Sequence, residues 1–159
     1  MRIFFALLAA LYAMPAQAQY WTPYTNEPFG YAIDIPPGYE SYIDSADGNG
    51  EIFMLAGMLQ ELTVWGADIV ATEGDFSGAA QQGMDSDITD GWAITYQVST
   101  PEWASWSGSK DDMILYRRMI LLCDRQSYAA FRSVYPATDL SDMHAVLEGL
   151  VRSLQPTEC

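Results

Sequence analysis

Met113-Ile114-Leu115-Tyr116-Arg117-Arg118-Met119-Ile120-Leu121-Leu122-Cys123 is apolar on both of its alternating faces, apart from two adjacent arginines. A strand of that kind belongs inside a sheet with cover on both sides. Alternation sends Arg117 and Arg118 to opposite faces. At least one of them should then be buried, and a buried guanidinium needs a carboxylate or carbonyl partner. From residue 19 to Ser109 there are 14 acids and no Lys or Arg, so an Asp or Glu between Glu27 and Glu102 is the expected partner.

Neighbouring segments support an antiparallel sheet. Tyr128 to Tyr135 alternates and stops at Pro136. Upstream, Trp103 to Ser107 reads as a strand that leads into the turn Gly108-Ser109-Lys110-Asp111. Trp92, Ile94, Tyr96 and Val98 alternate with Ala93, Thr95 and Gln97, which places the first four on one face. Tyr31–Ile35, Tyr39–Ile43, Glu51–Leu55 and Leu62–Trp65 complete eight expected strands. Asp47-Gly48-Asn49-Gly50 is hairpin-turn chemistry. Tyr20 to Phe29 is aromatic and turn-rich, with Pro23 and Pro28, and is expected to lie across the body.

Two helices are expected. Phe76 to Met84 is a short one, weakened by Gly78 and Gly83. Met143, Val146, Leu147, Leu150, Val151 and Leu154 form one apolar stripe of a longer helix, which Asp139 or Ser141 can cap and Pro156 ends. Connections of hairpin length dominate. The fold class is therefore α+β: a mainly antiparallel sheet with helices packed on its faces.

The run Pro28-Phe29-Gly30-Tyr31-Ala32-Ile33-Asp34-Ile35-Pro36-Pro37-Gly38-Tyr39, followed by Ala46-Asp47-Gly48-Asn49-Gly50, resembles the opening of PsbP-like proteins. That superfamily includes the extrinsic photosystem II subunit and the Ran-binding Mog-type proteins. The order of elements is similar from Glu27 to Leu154. The resemblance implies an α/β/α sandwich that serves as a binding or assembly module. It transfers no functional residue.

Length and charge bound the rest. A chain of 159 residues with half of them apolar suits one globular domain. The formal charge of −14 argues against a nucleic-acid partner and against docking on anionic lipid. Arg2, the apolar run Ile3 to Ala13 and the site Ala16-Gln17-Ala18 have the pattern of a secretory signal peptide. The expected organisation is a signal peptide over 1–18, cleaved near Ala18, and a single domain over 19–159, exported to the periplasm or the medium without a stable membrane anchor. In an oxidising compartment Cys123 and Cys159, 36 residues apart, suggest a disulfide; two free thiols are the alternative.

Catalytic chemistry is hard to assemble. His144 is the sole histidine, beside the helix stripe and expected to face solvent. There is no G-x-S-x-G elbow, phosphate-binding loop or dinucleotide fingerprint, and Ser107-Gly108-Ser109-Lys110 reads as a strand end and turn, without the helix context of Ser–Lys acylases. Asp44 to Glu51 invites a calcium reading, but Ala56 stands where the bidentate Glu belongs. Neither a cofactor nor a metal is expected. Trp103 and Trp106 are three apart, so a regular strand sends them to opposite faces, and they are the candidate partner or ligand contacts. The chain therefore reads as an acidic, exported, non-catalytic module for protein binding or envelope assembly. The alternative is a small-ligand or glycan binder that uses exposed aromatics, with weak hydrolase activity.

Overall fold

Alternating apolar residues pair into a seven-stranded antiparallel sheet that the helices cover unequally. The computed structural model describes residues 20–57, 59–157 and 159; the expected signal segment lies outside the described residues. The sheet contains β3 (Tyr39–Asp44), β4 (Gly50–Leu55), β5 (Glu61–Asp68), β6 (Ala93–Ser99), β7 (Trp103–Lys110), β8 (Met113–Leu121) and β9 (Ser127–Pro136). Its order is β3-β4-β5-β9-β8-β7-β6. The strand β8 is thus interior, between β9 and β7, as its two-sided apolar pattern requires. Cys123 stands two residues past its end, in the turn to β9. There Arg125 adopts a positive φ of 57°, and Asp124 accepts hydrogen bonds from the Gln126 and Ser127 amides.

A second, three-stranded sheet joins β1 (Thr22–Asn26), β2 (Tyr31–Ile35) and β10 (Gln155–Pro156) in the order β1-β2-β10. Two of these strands were not expected. Pro23 and Pro156 discourage a strand reading, but each lies in a strand at the edge of this small sheet, where a missing N–H can be tolerated. Tyr31, Ile33 and Ile35 point from β2 into a core with Phe53, Leu62, Val64, Phe131, Leu150 and Leu154. Burying each of the larger side chains contributes roughly 1.5–3 kcal/mol. The helix α2 (Leu140–Ser153) completes this layer, and its Gly149 leaves room for the ring of Trp21, which a Cβ would strike. Asp139 precedes α2 but does not cap it with its side chain. Its carboxylate accepts instead from Gln60 Nε2 at 2.7 Å, while Gln60 Oε1 accepts from the Tyr39 hydroxyl at 2.9 Å.

The opposite face carries α1 (Phe76–Thr89), which packs over β6 and β7. It runs five residues beyond the expected Met84, and Asp75 caps it by accepting from the Gly78 amide at 2.9 Å. Its second core contains Phe76, Ala80, Trp92, Trp106, Leu115 and Met119. Gly83, costly inside a helix, lies where a Cβ would press within 3.0 Å of Arg117 Nη2. The result is an antiparallel sheet between α1 on one side and α2 plus the small sheet on the other.

Candidate functional site

The longer α1 has a direct consequence for charge. It carries Asp87 to the sheet, where the carboxylate is almost fully buried. Asp87 accepts from Trp106 Nε1 at 2.8 Å and pairs with Arg117 Nη1 at 3.4 Å and Arg132 Nε at 3.5 Å. The Arg117 guanidinium also lies between the rings of Trp65 and Trp106, at 4.8 and 5.0 Å. Burial lowers the Arg117 pKa, and Asp87 opposes that shift. The expected buried pair of an arginine with an acid from the first half of the chain is thus Arg117–Asp87. The Arg117–Asp87 pair is largely closed to solvent, Arg132 stands at its partly exposed margin, and the node ties α1 to the sheet.

Arg118 is different. It points to the α2 side, stacks 4.1 Å above the ring of Trp103, and donates from Nη1 to Ser105 Oγ at 3.1 Å. Its Nε has no acceptor, and among the described residues no carboxylate reaches it. Burial lowers its pKa while the nearby Tyr116 and Tyr96 raise it.

The faces of β6 explain this setting. The register pairs Ala93 with Ser109 and Ile94 with Gly108, and then Tyr96 with Ser107. Thr95 is the extra residue of a β-bulge. Trp92 and Ile94 therefore pack under α1, whereas Tyr96 and Val98 pass to the other face. That corrects the expectation that all four share one side. Tyr96 and Val98 are 48 % and 36 % exposed, because α2 and the small sheet lie over the other half of the large sheet. An open flank results, with Tyr96, Val98, Trp103 and Tyr116 as its floor and Leu147 and Val151 of α2 as its wall. At the wall, an open depression of about 510 Å³ runs along α2 beside Tyr116, His144 and Arg152.

The two tryptophans do lie on opposite faces. Trp103 is half-buried in the flank beneath Arg118. Trp106 is 2 % exposed and is a core residue, so it offers nothing to a partner. His144 faces solvent, 3.8 Å from Glu148. Ser45, Asn49 and Gly50 close a hairpin turn on the Ser45 hydroxyl. Among the described residues no group of three His, Cys, Asp or Glu side chains could hold a metal ion. Cys123 and Cys159 form a disulfide, with Cα atoms 5.4 Å apart. From sequence, Tyr96 and Val98 read as one face of a strand and Leu147 and Val151 as part of a helix stripe, none of them as a contact residue. The signal that could have found Tyr96 and Val98 is the lack of any charge from Ala93 to Ser99.

No family model matches the chain, and no curated protein matches it in sequence. Solved structures do match. The Ran-binding protein Mog1p of Saccharomyces cerevisiae superposes with a TM-score of 0.62 at 12 % identity, covering 89 % of this chain and 97 % of Mog1p. The cyanobacterial PsbP, CyanoP, of Synechocystis sp. PCC 6803 superposes with a TM-score of 0.65 at 11 % identity, covering 90 % of this chain and 96 % of CyanoP. The chain has a PsbP/Mog-type fold. A Mog1 variant agrees, with a TM-score of 0.62 at 10 % identity over 87 % of this chain and 97 % of its own. The PsbP/Mog-type sandwich expected from the opening motif and the element order is therefore the one found.

Proposed function

We propose that this PsbP/Mog-type chain is an exported, non-catalytic protein-binding module whose contact surface is the flank of β6, β7 and α2. The carrying observation is the apolar strip that runs from the exposed Tyr96 and Val98 to the partly buried Trp103 and Tyr116, beside Leu147 and Val151. Large apolar side chains held open on a rigid sheet suit a protein partner better than a small ligand, which prefers an enclosed cavity. The structural likeness to Mog1p, itself a Ran-binding protein, supports the binding class. The signal-like segment at 1–18 and the Cys123–Cys159 disulfide support export. The two tryptophans named for the glycan alternative support it poorly: Arg118 covers one face of Trp103, and Trp106 is buried.

The test is a photo-crosslinking residue placed at Tyr96 and, as a control, at Tyr42 on the opposite sheet edge. In the native host, Tyr96 should yield one discrete protein adduct in the exported fraction, and Tyr42 should not. Intact mass of that fraction should place the N-terminus at or within two residues of position 19. Absence of an adduct at Tyr96, or equal adducts at both sites, would remove the flank as the contact surface. Retention of the whole chain in the cytoplasm would remove export.

A further inference from the structure

The strand β6 ends the large sheet, so its outer backbone amides and carbonyls have no strand partner. Sheet edges are normally guarded by charge or proline. The opposite edge, β3, carries Glu40 and Asp44. By contrast, Ala93-Ile94-Thr95-Tyr96-Gln97-Val98-Ser99 has no charge and no proline, in a chain with 28 charged residues. Past the bulge, Tyr96 to Ser99 pairs regularly with β7, which leaves a straight edge of about 13 Å at 3.3 Å per residue.

Both sides of that edge are shaped. On the α1 side, a recess of about 170 Å³ lies between Ala80, Gln81 and Met84 of the helix and Gln97 of the strand. On the α2 side, Tyr96 and Val98 lead across Ser105 and Ser107 to the Arg118 guanidinium. The register places Tyr96, Val98, Trp103, Ser105, Tyr116 and Arg118 on this face, and no strand residue sharing it in β6, β7 or β8 is acidic. Among the described residues Arg118 is thus a half-buried cation without a counter-ion, in a chain of net charge −14.

We propose that the partner docks as an extended polypeptide segment that pairs with β6 and sets an Asp or Glu carboxylate on Arg118. This rests on the protein-binding reading above and names the chemistry of the partner. Successive side chains of the added strand alternate. One set fills the α1 recess, and the other crosses Tyr96 and Val98. An added strand lies about 10 Å from β7, two strand spacings. Arg118 already reaches back over β7 to Ser105, and the partner's carboxylate meets it by crossing the strip over Tyr96 and Val98. Pairing two copies through β6 would bring no carboxylate to Arg118, because Ala93–Ser99 has none. The chemistry therefore favours a different polypeptide over a second copy.

The test probe is a library of random linear peptides displayed on phage and selected against the full oxidised chain. Enriched peptides should alternate β-branched or aromatic residues and contain one Asp or Glu. Val98→Lys, an exposed substitution that guards the edge, should abolish their binding. Arg118→Gln should weaken it at least tenfold, and Arg118→Lys less. Replacing the peptide acid by its amide should cost the same factor against the unmodified chain and nothing further against Arg118→Gln. The proposal falls if no peptide is enriched, if enriched peptides lack an acid, or if they bind Val98→Lys unchanged. It also falls if the chain sediments as a dimer that Val98→Lys dissolves, since the occupant is then a second copy. A Tyr96 crosslink to a protein, together with peptides indifferent to Arg118, leaves the protein-binding reading standing and removes this one.

Discussion

Removing the Asp87 carboxylate should destabilise the chain more than most single substitutions. Three donors converge on it: the Trp106 indole at 2.8 Å, Arg117 Nη1 at 3.4 Å and Arg132 Nε at 3.5 Å. The Arg117 side chain is only 12 % exposed, so its charge cannot simply turn to water. Breaking one partner of a buried pair costs about 3–5 kcal/mol, mostly because the other charge is left stranded. The unpaired indole N–H adds to that cost, but members of one network are not additive, so about 4 kcal/mol is the working figure. With an unfolding entropy of about 2.1 cal/mol/K per residue over roughly 140 residues, Asp87→Ala should lower Tm by about 14 °C. Thermal and urea denaturation of the oxidised protein, followed by circular dichroism, read this directly. The pair as a whole should be worth far less than either deletion suggests. Asp87→Leu combined with Arg117→Met replaces it with apolar volume and should recover much of the loss. If Asp87→Ala and Arg117→Met each shift Tm by less than about 3 °C, the pair is not buried and coupled as described, and α1 does not seat Asp87 on the sheet.

Two further outcomes follow from other contacts. The disulfide closes a span of 36 residues, so Cys159→Ser should cost roughly 3–4 kcal/mol through the entropy of the unfolded chain; an unchanged urea midpoint in non-reducing buffer would refute the crosslink's role. Tyr39 is pushed up to about 12, first by burial and then by the charge of Asp139, so the folded state keeps a proton that the unfolded chain releases near pH 10. That stabilisation is complete below about pH 10 and is lost as pH rises towards 12, and Tyr39→Phe should flatten the alkaline fall in unfolding free energy; an identical slope in the variant would show that Tyr39 does not drive it.

Some of this architecture is written in short segments. The apolar run around Arg117 and Arg118 places β8 inside a sheet, since only two-sided cover tolerates apolar residues at both parities. Tyr31-Ala32-Ile33-Asp34-Ile35 carries β2, and the stripe from Met143 to Leu154 carries α2, each with its periodicity complete within a dozen residues. The separation of Trp103 from Trp106 by three positions is equally local, and the two faces follow from it. The deficit of basic residues before Lys110 foretells that arginines of the second half meet carboxylates of the first, as Arg117, Arg125 and Arg132 do.

Other features exist only once distant segments meet. Thr95 looks like any residue of an alternating strand. Its register against Ser107 and Gly108 makes it a bulge, and that single extra residue turns Tyr96 and Val98 away from the core and into the open flank. Asp139 is a plausible cap by composition, yet Gln60, 79 positions away, takes its carboxylate. Pro23 and Pro156 argue against strands until β2 is beside them. Whether Trp106 or Trp103 is the buried one depends on which helix covers which half of the sheet. Periodicity records the shape of a segment and the sidedness of its burial. Which partner satisfies a polar group, and where cover runs out, depend on contacts between segments far apart in the chain, so tertiary packing alone placed the bulge, the buried Asp87 node and Arg118 over Trp103 and Ser105.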